Sequence, residues 1–244
     1  MHISPHFLAI LLDIKGILKL LKPEDLLKSL GPIAWIGVLV MIFAETGLFV
    51  GFFLPGDSLL LVSGILSHPT SDGGVPIGLG FPFLLILLIL AGILGNTTGY
   101  FTGRYLGPRL FKRDDSLIFK KKYLTMTESF YNEHGSMALI LGRFIPIIRT
   151  FAPILAGAIK LDAKRFLLYN IIGAVLWIGS ITTIGYFLTD IVNGIGSAFH
   201  INIEKDWVEH NIEYIIIILI IITIIPVIRT YRKESRKHKE ANKG

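Results

Sequence analysis

ALILGRFIPIIRTFAPILAG, residues 138–157, places two arginines and two prolines inside a segment that is otherwise apolar enough for lipid. A second stretch, IFAETGLFVGFFLPGDSLLL (residues 42–61), carries Glu45 and Asp57 in the same kind of setting. On insertion scales a charged side chain at the centre of a bilayer costs about 2.5 to 3.5 kcal/mol. Four unpaired charges would cost about 10 to 14 kcal/mol, so we expect them to pair with one another or to bind a ligand.

The prolines predict that the first of these stretches is a hairpin and not a straight helix. Pro146 and Pro153 each lack a backbone donor and clash with the preceding helical turn. Irregular backbone at membrane depth is tolerated only where it is buried in protein or lines a cavity. We therefore expect residues 136–159 to enter and leave the membrane on the same side, with Arg143 and Arg149 facing an internal site.

Composition places the chain among polytopic membrane proteins. Of its 244 residues, 52% are apolar and 17% are charged, and the mean hydropathy is +0.64, whereas soluble chains carry about a quarter charged residues. Cysteine is absent, which excludes disulfides, thiolate nucleophiles and Cys-ligated metals. The histidines show no catalytic or ligand spacing and no phosphate-binding loop is present, so we expect no enzyme activity, no cofactor and no metal.

Basic residues predict which loops face the cytoplasm. Seven lysines and arginines lie within residues 104–122, and seven more lie within residues 229–243. By the positive-inside rule both regions are cytoplasmic. They adjoin apolar spans and lack aromatic residues at a stacking spacing, so topology signals and anionic-lipid contacts explain them better than nucleic-acid binding. The apolar stretches at 166–188 and 212–228 are then the two crossings between these regions.

The first half of the chain shows a similar arrangement. Residues 33–66 would extend about 51 Å as one helix, which is too long for a straight pass, and Pro55 and Gly56 interrupt them. A spanning helix from about 81 to 103 follows a loop that has no lysine or arginine and is expected outside the cytoplasm. A re-entrant hairpin followed by a spanning helix thus occurs twice with opposite orientation, as in many secondary transporters.

The sequence therefore predicts an all-α polytopic membrane protein with two inverted repeats, each a re-entrant helical hairpin followed by a transmembrane helix. An N-terminal amphipathic helix and a C-terminal transmembrane helix complete it. Residues 7–21 have the pattern of an interfacial helix. Two paths remain open: either this helix crosses the membrane, or it lies on the membrane and residues 33–66 make a bent crossing in place of a hairpin. We divide the chain into a membrane-associated segment (1–30), a transport core (31–190), an external loop with the last transmembrane helix (191–229) and a basic cytoplasmic tail (230–244).

Several runs of sequence carry a family resemblance. They are E-T-x6-F-L-P-G-D (45–57), G-N-x2-G-Y-x2-G-R-x2-G (95–107) and F-x3-H-G-x6-G-R-F-I-P-x2-R-x3-P-x2-A-G (130–157), followed by Asn170, Gly173 and Trp177. Together they resemble the DedA family, also called the SNARE-associated or VTT-domain family, over roughly residues 30–190. The resemblance implies a polytopic protein of the bacterial cytoplasmic membrane.

The resemblance also implies functional residues and a substrate class. The functional acids and arginines of the family fall here on Glu45, Asp57, Arg143 and Arg149. Bacterial members are linked to recycling of undecaprenyl phosphate, the polyprenyl phosphate carrier lipid of cell-wall synthesis, and to the proton-motive force, and eukaryotic relatives scramble lipids. Many members have Asp where this chain has Asn96, which removes one possible proton carrier.

Side-chain chemistry independently favours an anion site with proton carriers beside it. A guanidinium presents a planar fork of donors that matches phosphate oxygens and keeps its proton, whereas a buried carboxylate takes up or releases protons. We assign substrate binding to Arg143, Arg149, Pro146 and Pro153, and proton coupling to Glu45 and Asp57. The structural alternatives are ion pairs that only hold the hairpins together and Asp57 as a helix cap.

The residues and the resemblance together predict a transporter, or flippase, of an anionic lipid, with protons or cations as the coupling ions. Polyprenyl (undecaprenyl) phosphate, which the resemblance implies, is the leading substrate. The alternatives are a proton/cation antiporter that supports the membrane potential, a phospholipid scramblase and a structural membrane protein. An anion transporter needs the arginines as much as the acids, whereas a cation antiporter tolerates Arg149→Gln better than Asp57→Asn. The expected location is the bacterial inner membrane, with several spans and the C-terminal tail in the cytoplasm.

Overall fold

The computed structural model describes residues 33–48, 56–68, 79–110, 121–199, 207–211, 214, 215 and 218. Its helices are α1 (Ala34–Gly47), α2 (Gly56–Leu66), α3 (Phe81–Leu110), α4 (Lys121–His134), α5 (Ala138–Leu141), α6 (Pro146–Ala158), α7 (Ala163–Ala198) and α8 (Trp207–His210). Short 3₁₀ turns at Gly135–Met137 and Gly142–Phe144 flank α5. No strand occurs among these residues, so the predicted all-helical architecture is confirmed for the part of the chain that the structure describes.

Two of the described helices are long and apolar enough to cross a membrane: α3, over Phe81–Leu106, and α7. The 36 residues of α7 extend about 54 Å at 1.5 Å per residue, which exceeds a hydrocarbon core about 30 Å thick. Both predicted spans are therefore present as helices, and both are longer than predicted. Exposed apolar side chains along them, such as Leu94 and Leu168, suit contact with lipid.

Other predicted segments lie outside the described residues. They are the amphipathic helix at 7–21, the basic tail at 230–244 and most of the span predicted at 212–228.

Both stretches predicted as hairpins contain short helices in place of one continuous helix. In the first stretch, α1 ends at Gly47 and α2 begins at Gly56. In the second, the backbone is extended at Ile145 (φ −118°, ψ 107°), and α6 begins at Pro146. Proline is well tolerated at the first helical position, because the donor that it lacks would have no partner there. The predicted interruption is thus present, while the re-entrant path and the inverted repeat stay predictions.

Pro153 does not break its helix, which corrects the sequence-based prediction. It lies inside α6, which runs from Pro146 to Ala158. The proline ring faces Gly99 of α3, where a Cβ atom would lie 3.5 Å from Cγ of Pro153. Packing against neighbouring helices compensates for the missing helical donor, so the local helix-breaking rule overestimated the effect of this residue.

The helices divide into two compact units. The first unit consists of the described residues up to Ile42, within Leu54–Ala91 and within Ile178–Ile216. The second consists of those within Phe43–Phe53, within Gly92–Trp177 and after Ile217.

In the first unit, α2 packs directly against α7 through glycines. A side chain at Gly64 would overlap the carbonyl oxygen of Thr182, and a side chain at Gly185 would overlap that of Leu61. Nearly every residue of α2 is buried as a result. The absence of side chains at these two glycines therefore allows the two backbones to touch.

We predict that Gly185→Ala destabilises the first unit. A Cβ atom at this position would lie 3.1 Å from the carbonyl carbon of Leu61 and closer still to its oxygen, so the helices must separate, and the free energy of unfolding should fall by about 1 to 3 kcal/mol. Gly179 of the same helix is the matched control, since no described heavy atom lies within 4 Å of a Cβ built there. Gly179→Ala should be neutral or slightly stabilising. Equal thermal midpoints for the two variants, measured by circular dichroism in detergent, would contradict this packing.

The second unit has an apolar core formed by α3, α5, α6 and α7. Its fully buried members are Tyr100, Leu139, Ile148, Phe151, Ala152, Leu155, Ala156 and Phe166. The hydroxyl of Tyr100 donates to the carbonyl of Leu161 at 2.5 Å, which ties α3 to the turn between α6 and α7. Nη1 of Arg104 donates to the same hydroxyl at 2.7 Å. This core supports one side of the site described next.

Candidate functional site

A group of buried polar side chains lies within the second unit, and we call it the arginine cluster. Its members come from α1, α3, the 3₁₀ turn before α6, α6 itself and α7. They are Glu45, Thr46, Asn96, Arg143, Arg149, Asn170 and Trp177. None of these side chains is more than 6% exposed, although buried charges are rare in any protein.

The break at Ile145 is what brings both arginines to the same place. In a continuous helix, residues six positions apart would point about 120° away from each other. Here Arg143 lies in the 3₁₀ turn before the extended residue, and Arg149 lies in the first part of α6. Both guanidinium groups consequently face one indole ring, that of Trp177.

Arg149 is paired with a buried acid. Its Nη2 atom donates to Oε1 of Glu45, and both side chains are almost fully buried. The guanidinium carbon also lies 4.4 Å from the centroid of the Trp177 ring, which is a favourable cation–π distance. The pairing of an acid with an arginine that the sequence predicted is therefore present between these two residues.

Among the residues that the structure describes, neutral groups alone bind Arg143. Its Nη2 atom donates to Oδ1 of Asn170 and, at 3.2 Å, to the backbone carbonyl of the same residue. Its Nε and Nη1 atoms are buried and have no hydrogen-bond partner among the described residues, so three of its five N–H donors are unused. A buried donor without a partner costs about 1 to 3 kcal/mol, which makes this guanidinium a strong candidate to bind an anionic acceptor.

Asn96 contributes a second neutral contact to Arg143. In the orientation that satisfies its neighbours, Oδ1 accepts from Nη2 of Arg143 at 2.7 Å, and Nδ2 donates to the carbonyl of Thr46 at 3.2 Å. Asn170 is anchored in the same manner, because its Nδ2 donates to the carbonyl of Ile93 at 3.0 Å. Two carboxamides therefore connect one guanidinium to the backbones of two helices.

The sequence analysis named Trp177 only as part of the family resemblance and assigned it no role in the site. The side chain is 1% exposed, and its ring lies 4.4 Å and 5.9 Å from the two guanidinium carbons. Gly173, one turn earlier on α7, leaves room for Arg143, since a Cβ there would lie 2.9 Å from Cδ and Nε of the arginine. Asn170, Gly173 and Trp177 follow an i, i+3, i+7 spacing, which places them on one helix face. That spacing was the signal available in the sequence.

The remaining predicted site residues are placed as follows. Asp57 lies in the first turn of α2, in the first unit, where an acid is favourable near a helix N-terminus. Its proposed part in proton coupling stays a prediction. Pro146 begins α6, and Pro153 lies within it. Within the described ranges, no three His, Cys, Asp or Glu side chains lie close enough together to hold a metal ion.

Comparison with known proteins identifies the family. A sequence profile described as the VTT domain matches residues 54–187, which is more than half of the chain. The chain belongs to the DedA, or VTT-domain, family. The matched residues of this DedA-family chain include the whole arginine cluster except Glu45 and Thr46, which α1 supplies from outside the matched region.

Several relatives of this DedA-family protein are membrane proteins by name. Protein DedA of Escherichia coli (strain K12) is 44% identical over 153 residues, covering 62% of this chain and 67% of the relative. An uncharacterized membrane protein of Mycobacterium leprae (strain TN) is 34% identical over 224 residues, covering 85% and 91%. Inner membrane protein YqjA of Escherichia coli (strain K12) is 36% identical over 149 residues, covering 61% and 64%. No solved structure matches the chain. The DedA-family chain described here is accordingly a membrane protein.

Proposed function

We propose that this protein moves an anionic lipid across the membrane and that the arginine cluster binds the phosphate of the lipid headgroup. The observation that carries this proposal is the buried guanidinium of Arg143, whose Nε and Nη1 donors have no partner among the described residues. A buried cation with unused donors is stabilised by an anion that supplies several acceptor oxygens. A phosphate group does so in a geometry that fits a planar guanidinium.

The charge of the cluster supports an anionic substrate. Among the described residues of the second unit, the cluster contains two guanidinium groups and one carboxylate, Glu45, which is paired with Arg149. One positive charge is therefore left without a carboxylate partner in this part of the chain. Because burial strengthens electrostatic interactions, a bound anion attracts this charge more strongly here than at a solvated surface.

The substrate that we propose is polyprenyl phosphate, with other phosphate lipids as alternatives. In this proposal the protein lies in the bacterial cytoplasmic membrane with several spans, and the C-terminal tail faces the cytoplasm. The buried Glu45–Arg149 pair supports a coupling role for protons, because a phosphate that approaches Arg149 competes with the carboxylate, which can then accept a proton. Asp57 is the second carrier in this scheme.

Purified protein in phosphatidylcholine vesicles that contain polyprenyl phosphate provides the test. An added phosphatase that cannot cross the membrane hydrolyses the headgroups of the outer leaflet alone, so released phosphate measures the lipid that reaches this leaflet. We expect complete hydrolysis with the wild-type protein and with the control Arg165→Gln, whose side chain is exposed on α7, and hydrolysis of only the outer leaflet in protein-free vesicles.

Parallel vesicles distinguish this function from its alternatives. Fluorescently labelled phosphatidylglycerol and phosphatidylcholine, bleached from outside, report the transfer of a phosphodiester lipid and of a lipid without net charge. Transfer of both at the rate of polyprenyl phosphate would identify a scramblase. Cation-driven changes in internal pH without any lipid transfer would identify an antiporter. If no phosphate lipid is translocated, with or without a pH gradient, the proposal is wrong.

A further inference from the structure

We infer that Asn96 sets the charge of the arginine cluster: its neutral carboxamide positions Arg143 without neutralising it, so that the site accepts a tetrahedral oxyanion, such as a phosphate or sulfate group. This inference rests on the proposed function, because it concerns the same site, and it names the residue that determines the charge of the bound group. Asn96 is a positioning residue in this scheme, since it acts through Arg143.

Both the oxygen and the nitrogen of the Asn96 carboxamide form hydrogen bonds. In the amide orientation assigned from its neighbours, its oxygen accepts from Nη2 of Arg143 at 2.7 Å, and its nitrogen donates to the carbonyl of Thr46 at 3.2 Å. Of the side chains of this size, only a carboxamide offers an acceptor and a donor side by side. The side chain is 3% exposed, so bulk solvent does not reach either contact.

Asn170 holds the same nitrogen of Arg143 from another helix. Its oxygen accepts from Nη2, and its nitrogen donates to the carbonyl of Ile93 at 3.0 Å and to Oγ1 of Thr97 at 3.2 Å. Both contacts to protein carboxamides thus fall on a single nitrogen of the guanidinium. The Nε and Nη1 atoms keep their donors for a ligand.

A carboxylate at position 96 would have the opposite effect. Aspartate has nearly the shape of asparagine, but it would place a negative charge beside Arg143, and this charge would compete with any anionic ligand. Its second oxygen would face the carbonyl oxygen of Thr46 and could interact favourably with it only when protonated. Asn96→Asp should therefore weaken anion binding when its carboxyl is charged.

Other charged groups also surround this position. The described charged members of the cluster are Arg143 and Arg149 from the segment around Ile145 and Glu45 from α1, whereas Asn170 and Trp177 of α7 are neutral. Because Glu45 can itself respond to pH, the informative quantity is the ratio of the dissociation constants of variant and wild type at one pH. Any contribution common to both proteins cancels in this ratio.

Trp177 supplies a direct readout of binding. The chain has three tryptophans, and replacing Trp35 and Trp207 by phenylalanine leaves the one beside both guanidinium groups as the sole reporter. The fluorescence of the full chain in detergent is then titrated with sulfate, whose charge is constant between about pH 5 and about pH 8. At about pH 8 we expect the dissociation constant of Asn96→Asp to exceed that of the unsubstituted protein by about tenfold or more.

Two further variants separate charge from packing. Asn132→Asp makes the same chemical change at an exposed position of α4 and should leave the ratio near one. Asn96→Ala removes the contacts without adding charge and should change the dissociation constant by only a few fold. Equal losses for the alanine and aspartate variants, or no loss for aspartate, would overturn the inference. If Asn96→Asp does not fold, Asn170→Asp provides the same test from α7.

The binding measurement tests the role of Asn96 and the vesicle measurement tests the proposed function, so each claim can be rejected without the other. Sulfate binding with the expected ratios, but without transfer of any phosphate lipid, would leave the role of Asn96 intact and reject the proposed function. Equal lipid transfer by wild type and Asn96→Asp at about pH 8 would reject the role of Asn96 and leave the function intact. If sulfate produces no signal with the unsubstituted protein, the inference is wrong, and the vesicle assay alone decides the function.

Discussion

We expect Arg143→Gln to reduce translocation of a phosphate lipid to the background of protein-free vesicles. The variant loses the buried cation whose Nε and Nη1 donors are unused within the described chain, and loss of one partner of a buried charged contact costs about 2 to 5 kcal/mol. That range corresponds to a decrease of more than about thirtyfold in binding. The vesicle assay with phosphatase measures it, and Arg165→Gln serves as the control for removal of an arginine from an exposed site.

Arg143→Lys separates charge from geometry. A lysine retains the positive charge but not the planar fork of donors. Its compact ammonium group would not reproduce both hydrogen bonds to Asn170. We expect partial translocation, between the wild-type rate and that of Arg143→Gln. Translocation by Arg143→Gln at the wild-type rate would show that this guanidinium does not bind the headgroup.

The clustering of Glu45 with the two arginines was predictable from the sequence, because charges within apolar segments have few alternatives to pairing. The structure places these three residues in one unit and pairs Glu45 with Arg149. The choice of partner was not predictable. It depends on the break in the helix at Ile145. The sequence pattern gave no reason to place that break at Pro146 and not at Pro153.

The roles of the neutral members of the cluster could not be predicted from the sequence. Trp177 and Asn170 lie in a long apolar helix, where tryptophan and asparagine have several ordinary roles, and only the tertiary structure places them beside the guanidinium groups. Asn96 was identifiable as a departure from the family pattern, but its contacts to Arg143 and Thr46 were not. Their functional importance follows from the partners that the fold supplies.

The ends of the long helices were also beyond prediction from apolar content. The apolar pattern ended near residue 188, yet α7 continues to Ala198 through Thr189 and Asp190. In the first unit, Nε2 of His68 lies 3.2 Å from Oδ2 of Asp190. The ring of Tyr186 packs edge to face with the same imidazole, with 5.0 Å between the ring centroids. Tertiary contacts therefore extend this helix past the point at which hydropathy alone predicts its end.

The Glu45–Arg149 pair gives the second large expected effect, on stability. Removing one partner of a buried ion pair leaves an isolated buried charge and typically destabilises a protein by about 3 to 5 kcal/mol. Both side chains are almost fully buried, so we expect losses of this size for Glu45→Gln and for Arg149→Gln. The double variant should be more stable than either single one, with a coupling of at least about 2 kcal/mol. Thermal unfolding in detergent measures the cycle, and additive losses would contradict a direct interaction.

The same double variant distinguishes a structural ion pair from a functional one. If the pair only holds α1 against α6, restoring stability should also restore lipid translocation and its dependence on a pH gradient. If Glu45 carries the coupling proton, the double variant should fold well but translocate lipid, if at all, without responding to the gradient, because neither glutamine can exchange a proton. Asn132→Asp controls for an unrelated change on the exposed face of α4. Gradient-dependent transport by the stable double variant would remove Glu45 from the coupling mechanism and leave Asp57, in the first turn of α2, as the remaining proposed carrier.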